Sequence, residues 1–285
     1  MKLFYAQGKE GTTNFGDDLN VYLWEKIIPG ILDNDSDTIF IGIGTILNEK
    51  WIPVARKKIV FSSGVGYGQI PKIDDSWKIY CVRGPLSAKK LGLPLGLAIT
   101  DGAVLIKKFF ASDGKKIYRF SYMPHQNQAH CGGKYWKKIC EYLGFGYIDP
   151  RWETEQVLNS ISSTKCLITE SLHGAIVADT LRVPWKAVKT SDKILAFKWE
   201  DWCASVGLEY KPSSILPLWS SEGKSNIIVS ARRSIKLKIV PHQLLNIAKN
   251  SRPFLSKESL LKQLIDKLEQ KCNEFKKDVC QGIFR

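Results

Sequence analysis

Residues 166–178, CLITESLHGAIVA, predict a strand, a tight turn and the start of a helix. The apolar residues on either side of the turn are typical of a buried strand and a buried helix. Helix N-termini carry unpaired N–H groups and a partial positive charge, so they favour bound phosphate or carboxylate. His173 at this turn is a candidate to transfer a proton to such an anion, with Glu170 beside it. The alternative is structural: Glu170 and Ser171 cap the helix, and His173 is a buried histidine with satisfied hydrogen bonds.

Strands and helices alternate along most of the chain, and glycines repeatedly follow the predicted strand ends. The pattern predicts strands at residues 2–6, 38–43, 58–62, 78–82, 117–122, 147–149, 166–169 and 183–187. It predicts helices at residues 18–28, 86–90, 132–142, 154–162, 199–206 and within 253–277. This order is typical of α/β proteins with parallel sheets, whose ligands bind at the carboxyl ends of the strands. We therefore divide the chain into one α/β unit at 1–115, a second at 116–225 and a basic helical segment at 226–285.

The chain of 285 residues carries a formal net charge of +14. Residues 231–285 alone hold 13 Lys and Arg against 5 Asp and Glu. Such an excess favours an anionic partner: nucleic acid, an acidic membrane surface or an anionic substrate. No apolar run reaches the roughly 20 residues of a membrane-spanning helix. The first residues, MKLFYAQGKEG, lack the apolar core of a signal peptide, so we expect a cytoplasmic protein.

Seven cysteines are spread along the chain, and none forms a CxxC pair. An odd number of dispersed cysteines in a cytosolic protein argues against a disulfide framework. Zinc needs thiol and imidazole groups at short spacing, and the sequence has no such cluster. We therefore expect no metal site.

Loops of the first unit place polar groups after predicted strands. In NFGDDL, residues 14–19, Asp17 is a candidate to accept a proton from a substrate hydroxyl, or alternatively to cap the following helix. In RGPLS, residues 83–87, the fork of Arg83 suits phosphate or carboxylate, and the alternative is a structural salt bridge. Asp101 either caps a helix or orients Arg83. Gly64, in the loop SGVGYG, lets a ligand approach the backbone.

Two further side chains of the second unit carry candidate chemistry. His125 follows a predicted strand in the segment MPH, although lone histidines are often structural. Lys198 lies among aromatic residues in FKWEDW, and its alternative is a solvated lysine whose stem packs on Trp199. Together with Arg83 and His173, these residues predict a cleft for a small substrate with two anionic groups.

In this order, the segments NFGDDL, GIGTIL, SGVGYG, RGPLSAKKLGLP, TDGAVL, MPH, TESLHGAIVADTLRVPW and KWEDW resemble the polysaccharide pyruvyltransferases. The similarity runs from about residue 3 to about residue 208 and is greatest to the branch that adds pyruvate ketals to exopolysaccharides of the succinoglycan and xanthan type. It implies two Rossmann-like domains that face each other across a cleft, as in GT-B glycosyltransferases, followed here by C-terminal helices. The first domain would bind the acceptor and the second the donor.

The resemblance also implies a reaction and roles for particular residues. The donor is phosphoenolpyruvate, the acceptor is a cell-surface sugar, and the product is a cyclic ketal. Arg83, His173 and Lys198 match the residues that bind the donor and support catalysis in the family. Lys193 lies close to Lys198 and is the alternative lysine.

The chemistry of phosphoenolpyruvate suits these residues independently. Its phosphate and carboxylate need cations or N–H donors, which Arg83, Lys198 and the helix N-terminus at His173 can supply. C3 must be protonated before a sugar hydroxyl attacks C2, and either His173 or Glu170 can be that acid. The scheme requires no metal and no cofactor. The other residues expected at the substrates follow the same strand ends: Asn14, Gly64, Asp101, His125, Ser171 and Gly174.

Two other functions remain open at this point. A GT-B glycosyltransferase that uses a nucleotide sugar would keep the same domains and the same basic cleft. A non-catalytic nucleic-acid-binding protein would explain the positive charge, but the basic tail carries no RNA or DNA motif, so we expect no nucleic acid. The tail instead suggests peripheral contact with an anionic membrane that presents a lipid-linked acceptor. Its apolar stripe of Leu260, Leu261, Leu264, Ile265 and Leu268 either lies in the membrane interface or packs back on the first unit.

Overall fold

This computed structural model describes residues 1–7, 14–192, 194–218 and 227–284, with side chains throughout those ranges except at 227–233. The chain forms two parallel β-sheets with helices, which confirms the predicted α/β class. Most predicted elements lie within a few residues of the observed ones. The predicted strand at 117–122 is displaced, because Tyr118 makes only an isolated bridge to Thr164 and the regular pairing begins at Ser121.

The first sheet contains four parallel strands in chain order. They are β1 (Lys2–Phe4), β2 (Thr38–Ile41), β3 (Lys57–Ser63) and β4 (Trp77–Val82). Helix α1 (Phe15–Ile27) connects β1 to β2, and α2 (Pro85–Lys90) follows β4. Two 3₁₀ segments come next, Leu95–Leu97 and Gly102–Lys108. All of β2 is buried, as expected for a parallel strand that is covered on both faces.

The second sheet contains five parallel strands in the order β6-β5-β7-β8-β9. They are β5 (Ser121–Met123), β6 (Gly146–Tyr147), β7 (Leu167–Thr169), β8 (Trp185–Lys189) and β9 (Ser213–Ser214). The connecting helices are α3 (Gln126–Leu143), α4 (Thr154–Ser162), α5 (Leu172–Thr180) and α6 (Ala196–Ser205). The strand order reverses between β5 and β7. In open α/β sheets such a reversal opens a crevice at the carboxyl ends of the strands, where ligands bind.

The two sheets share one hydrophobic core. Phe15 and Phe40 from the first half belong to the same buried cluster as Ile176 and Trp185 from the second. Helix α1 contacts both α4 and α5, so the carboxyl ends of β1 and β7 come close together. The first sheet runs in chain order, without the reversal of a doubly wound sheet in the residues described. The GT-B arrangement of the two units therefore stays a prediction.

Two long helices end the chain and pack against different sheets. Helix α7 (Ile227–Asn250) lies against α3, and its Leu244 belongs to the core of the second sheet. Helix α8 (Glu258–Cys280) returns to the first sheet, where Phe275 packs on Phe40 and Tyr80. The predicted apolar stripe of α8 packs into the core: Leu261, Leu264 and Leu268 are buried, and Leu260 and Ile265 are partly buried. Among the described helices, none combines the length and hydrophobicity that a membrane crossing requires.

Candidate functional site

A cavity of about 250 Å³ lies where the strand ends of both sheets meet. We call it the site cavity. The first half of the chain lines it with Asn14, Gly16, Asp17, Thr45, Trp51 and Tyr67. The second half lines it with His125, Gln126, Ser171, His173 and Lys198. Six of the residues predicted from the sequence therefore meet in one place: Asn14, Asp17, His125, Ser171, His173 and Lys198.

His173 lies in the first turn of α5, beside a buried carboxylate. Its Nε2 is 3.6 Å from Oδ2 of Asp101, and its side chain is 13% exposed. Asp101 itself caps the 3₁₀ segment, because its Oδ1 accepts the N–H of Ala103 at 3.0 Å. Neither Nε2 of His173 nor Oδ2 of Asp101 has a hydrogen-bond partner among the described residues. Asp101 thus caps the 3₁₀ segment and lies beside the ring of His173, a contact that becomes an ion pair when the ring is protonated.

Close packing explains two glycines near His173. A Cβ on Gly174 would lie 2.6 Å from Sδ of Met123, so close packing accounts for that glycine. A Cβ on Gly16, in the first turn of α1, would overlap Nδ1 of His173. Gly16 therefore sets the position of the ring in the site cavity.

Gly16→Ala is expected to lower turnover by about 10²-fold, because small displacements of a catalytic group have effects of that size. Alanine favours a helix by about 0.5–1 kcal/mol over glycine, so the loss should not come from α1 itself. The measurement is kcat together with the melting temperature. Gly96→Ala is the matched control, since an added Cβ there meets no atom within 4 Å. Wild-type turnover in Gly16→Ala would show that the ring position is not critical.

Asp17 is a buried carboxylate in the first turn of α1. Burial raises the pKa of Asp17 above its ordinary value, while the hydrogen bond from Asn14 and the nearby His173 and Lys198 oppose the shift. Nδ2 of Asn14 donates to Oδ2 of Asp17 at 2.5 Å. The backbone N–H of Asn14 donates instead to Oδ2 of Asp18, at 3.0 Å. Asp18 therefore accepts a hydrogen bond at the start of α1, whereas Asp17 lines the site cavity.

His125 and Lys198 supply N–H donors to the same cavity. Nδ1 of His125 accepts the N–H of Asn127 at 3.3 Å, so a neutral ring carries its proton on Nε2. Burial, with a smaller contribution from Lys198, lowers the pKa of His125 to about 4. The ring is therefore an uncharged donor near pH 7. Nζ of Lys198 lies 3.4 Å from Oη of Tyr67. Lys193, the alternative lysine, lies outside the described residues.

Glu170 is buried behind the site cavity and is not among the residues that line it. Its Oε1 accepts both the N–H and, at 2.7 Å, the hydroxyl of Thr190, and its Oε2 accepts the N–H of His125 at 3.2 Å. Burial raises the pKa of Glu170. These contacts join the ends of β5, β7 and β8. Glu170 thus has a structural role in this geometry, and its role as an acid stays a prediction.

Arg83 is fully buried and makes the structural salt bridge that the sequence left open. Its Nε donates to Oδ2 of Asp201 in α6 at 3.0 Å, and its Nη1 donates to Oγ1 of Thr45 at 2.6 Å. A Cβ on Gly64 would overlap the guanidinium, so Gly64 makes room for Arg83 rather than for a ligand. Thr45, which lines the site cavity, links Arg83 to it. Direct contact between Arg83 and the donor stays a prediction.

Among the residues that line the site cavity but were not predicted from the sequence are Thr45, Trp51 and Tyr67. The rings of Trp51 and Tyr67 lie 5.8 Å apart between centroids, and Trp51 is 48% exposed. Thr45 and Tyr67 occur in the glycine-rich loops GIGTIL and SGVGYG, after β2 and β3. Their position in glycine-rich loops after strands could have identified both residues as candidates, whereas nothing in the sequence indicates a role for Trp51.

Comparisons with known proteins agree with the resemblance of the motifs. The model of the polysaccharide pyruvyl transferase family matches residues 8–191. The chain is also 43% identical over 218 residues to the succinoglycan biosynthesis protein ExoV of Rhizobium meliloti (strain 1021). That match covers 75% of this chain and 68% of the relative.

Proposed function

Because this chain belongs to the polysaccharide pyruvyl transferase family and is a pyruvyltransferase, we propose that it transfers pyruvate from phosphoenolpyruvate to a sugar as a cyclic ketal. The sugar belongs to an exopolysaccharide repeat unit. The observation that carries the proposal is the site cavity itself, in which His173, Asp17 and Lys198 meet. They supply a proton donor, a proton acceptor and a cation for an anionic substrate.

The donor lies at the carboxyl ends of β5 and β7. Lys198, the Nε2–H of His125 and the N-terminus of α5 bind its phosphate and carboxylate. Since His125 is uncharged near pH 7, it contributes a hydrogen bond without adding charge. Support for this placement comes from the reversal of strand order between β5 and β7.

Proton transfer begins the reaction. His173, protonated and oriented by Asp101, gives a proton to C3, so the methylene becomes a methyl group and C2 gains cationic character. The oxygen of one sugar hydroxyl then bonds to C2, and Asp17 takes the proton of that hydroxyl. Its raised pKa suits a carboxylate that must hold a proton temporarily.

The C2–O bond to phosphate then breaks, and phosphate leaves. A second hydroxyl of the same sugar bonds to C2 and closes the ketal. Two hydroxyl protons are released in total: one restores the proton that His173 gave to C3, and the other leaves with phosphate. No redox partner is needed, and this proposed scheme uses no metal. Among the described residues, no group of three or more His, Cys, Asp or Glu is placed to hold a metal ion.

The test of the function is phosphate release from phosphoenolpyruvate with and without a glycan acceptor. We expect release only when the acceptor is present, and no change when EDTA is added. Turnover that EDTA abolishes and Mg²⁺ restores would contradict the metal-free scheme. A panel of UDP-, GDP- and CMP-sugars serves as the control. Thermal stabilisation by a nucleotide sugar, but not by phosphoenolpyruvate, would instead favour a glycosyltransferase.

We also propose a peripheral membrane contact through exposed lysines of the basic segment 231–285. The apolar stripe of α8 in this segment is buried, so only the polar side of the helix is available for such a contact. Lys257, at the N-cap of α8, and Lys262 and Lys267 within the helix are exposed. Each basic residue near an anionic surface contributes about 1 kcal/mol to binding, and salt weakens the interaction.

Reversal of charge at Lys257, Lys262 and Lys267 to Glu is expected to abolish most co-sedimentation with anionic vesicles at low salt. The matched control reverses three exposed lysines elsewhere, Lys89, Lys137 and Lys138. Neutral vesicles should bind neither variant. Equal binding to anionic and neutral vesicles, or equal losses in the two triple variants, would contradict a specific role of these three lysines.

A further inference from the structure

A second cavity, of about 650 Å³, lies beside the site cavity at the edge of the first sheet. Both cavities are lined by Ala6, Ile46 and Trp51, so they share a wall and lie side by side. The second cavity follows β1 and the loop after β2. We call it the edge groove, and its other lining residues include Tyr5, Ile39 and Val54.

The edge groove is apolar at its base and polar along its sides. Ile39 and Ile46 are buried beneath it, while Trp51 is half exposed and Val54 is fully exposed at its rim. Exposed apolar surface next to a catalytic cavity is typical of a ligand-binding surface. The groove also runs beside β1, an edge strand that pairs on its outer side with Asp33. The polar groups of the groove come from side chains that line it: Lys2, Gln7 and Ser36.

A carbohydrate matches this combination. A sugar ring has an apolar C–H face that packs on aromatic and aliphatic side chains such as Trp51 and Val54. Its hydroxyl groups both donate and accept hydrogen bonds, as the side chains of Lys2, Gln7 and Ser36 do together. A hydrocarbon chain would bury such polar groups without partners, at a cost of about 1–3 kcal/mol each.

We propose that the edge groove binds the sugars of the acceptor beyond the one that receives pyruvate. This proposal rests on the proposed function, and it makes the substrate class an oligosaccharide rather than a free monosaccharide. The sugar that reacts enters the site cavity past Trp51, and its neighbours lie along β1. Trp51 contacts both parts of the acceptor, because it lines both cavities.

Hydroxyl-radical footprinting tests occupancy without requiring turnover. The probes are succinoglycan oligosaccharides of increasing length from graded acid hydrolysis, with their monosaccharides as the shortest members. Long fragments are expected to protect Tyr5 and Trp51 from oxidation, whereas monosaccharides should leave Tyr5 unprotected. Tyr142, which is 81% exposed and lines neither cavity, is the internal control. Oxidation of Tyr5 that does not depend on fragment length would overturn the proposal.

Blocking the groove gives a kinetic test. A Val54→Cys variant is labelled with a bulky maleimide, and labelled wild type, whose Cys280 is exposed, is the control. For the longest active fragment, kcat/KM is expected to fall about tenfold or more, equivalent to about 1.4 kcal/mol. For a monosaccharide it should stay unchanged. Equal losses for both acceptors, or no loss for either, would contradict the groove.

The two tests separate this proposal from the proposed function. Absence of phosphate release with every acceptor contradicts pyruvate transfer, yet protection of Tyr5 by long fragments would still support a glycan-binding groove. Conversely, a normal reaction without protection of Tyr5 would support pyruvate transfer and contradict acceptor binding in the edge groove.

Discussion

Replacement of His173 with alanine is expected to lower turnover by about 10²–10⁴-fold, the range that general acid catalysis contributes. The ring has a defined position: Asp101 lies 3.6 Å from Nε2, and Gly16 leaves space at Nδ1. Loss of the ring removes the group that protonates C3 in the proposed scheme. The measurement is kcat for phosphate release at saturating phosphoenolpyruvate and acceptor.

Stability must be measured on the same protein, because the variant leaves the buried carboxylate of Asp101 without its partner. His173→Gln is the second variant, since it keeps a side-chain N–H donor but cannot transfer a proton as imidazole does. We expect both variants to lose turnover to a similar extent. If His173→Ala melts well below wild type and yet keeps its turnover, His173 is a structural histidine.

Replacement of Arg83 with alanine is expected to lower the free energy of unfolding by about 3–5 kcal/mol, because it leaves Asp201 as a buried charge without its partner. Both side chains of the pair are fully buried. Asp201 would keep only its hydrogen bonds from Ser87. Chemical denaturation monitored by circular dichroism measures the loss.

The matched control is the surface pair of Lys271 and Glu274, whose atoms lie 2.6 Å apart on α8. Lys271→Ala should cost no more than about 1 kcal/mol, as exposed ion pairs do. The double variant Arg83→Met/Asp201→Leu should be more stable than Arg83→Ala, since it leaves no buried charge. An Arg83→Ala protein that is as stable as wild type but binds phosphoenolpyruvate weakly would support direct donor binding instead.

The spacing of apolar residues and the order of the strands explain which features were predicted correctly from the sequence. Helix α4 has the predicted bounds because Val157, Leu158 and Ile161 recur at helical spacing and are buried together. The polar residues at strand ends converge because parallel strands end at one edge of a sheet, which brings His125 and His173 to the same cavity. Periodicity and topology thus predicted that these two strand ends lie close together.

Burial and long-range pairing could not be predicted in the same way. The partner of Arg83 is 118 positions away along the chain, and no local pattern connects it with Asp201. Glu170 follows a strand end like its neighbours, yet it is directed toward Thr190 and away from the cavity. Helix α7 lies within the segment 226–285 that was predicted to be helical, but its bounds were not predicted because it contains Pro241, which normally indicates a helix end. These contacts and helix bounds depend on three-dimensional packing, which the spacing of residues along a single sequence does not reveal.

Because α8 packs on the first sheet, that sheet cannot complete its packing until α8 has been synthesised. Phe275 covers Phe40 and Tyr80, and the hydroxyl of Tyr80 donates to Asp278 at 2.5 Å. Domains generally fold from the N-terminus during synthesis, at about 5–20 residues per second. Here β2 and β4 lack part of their cover until α8 has been synthesised. The nascent chain therefore exposes apolar groups of its first sheet until then, and we expect chaperones that bind apolar segments to recognise it at that stage.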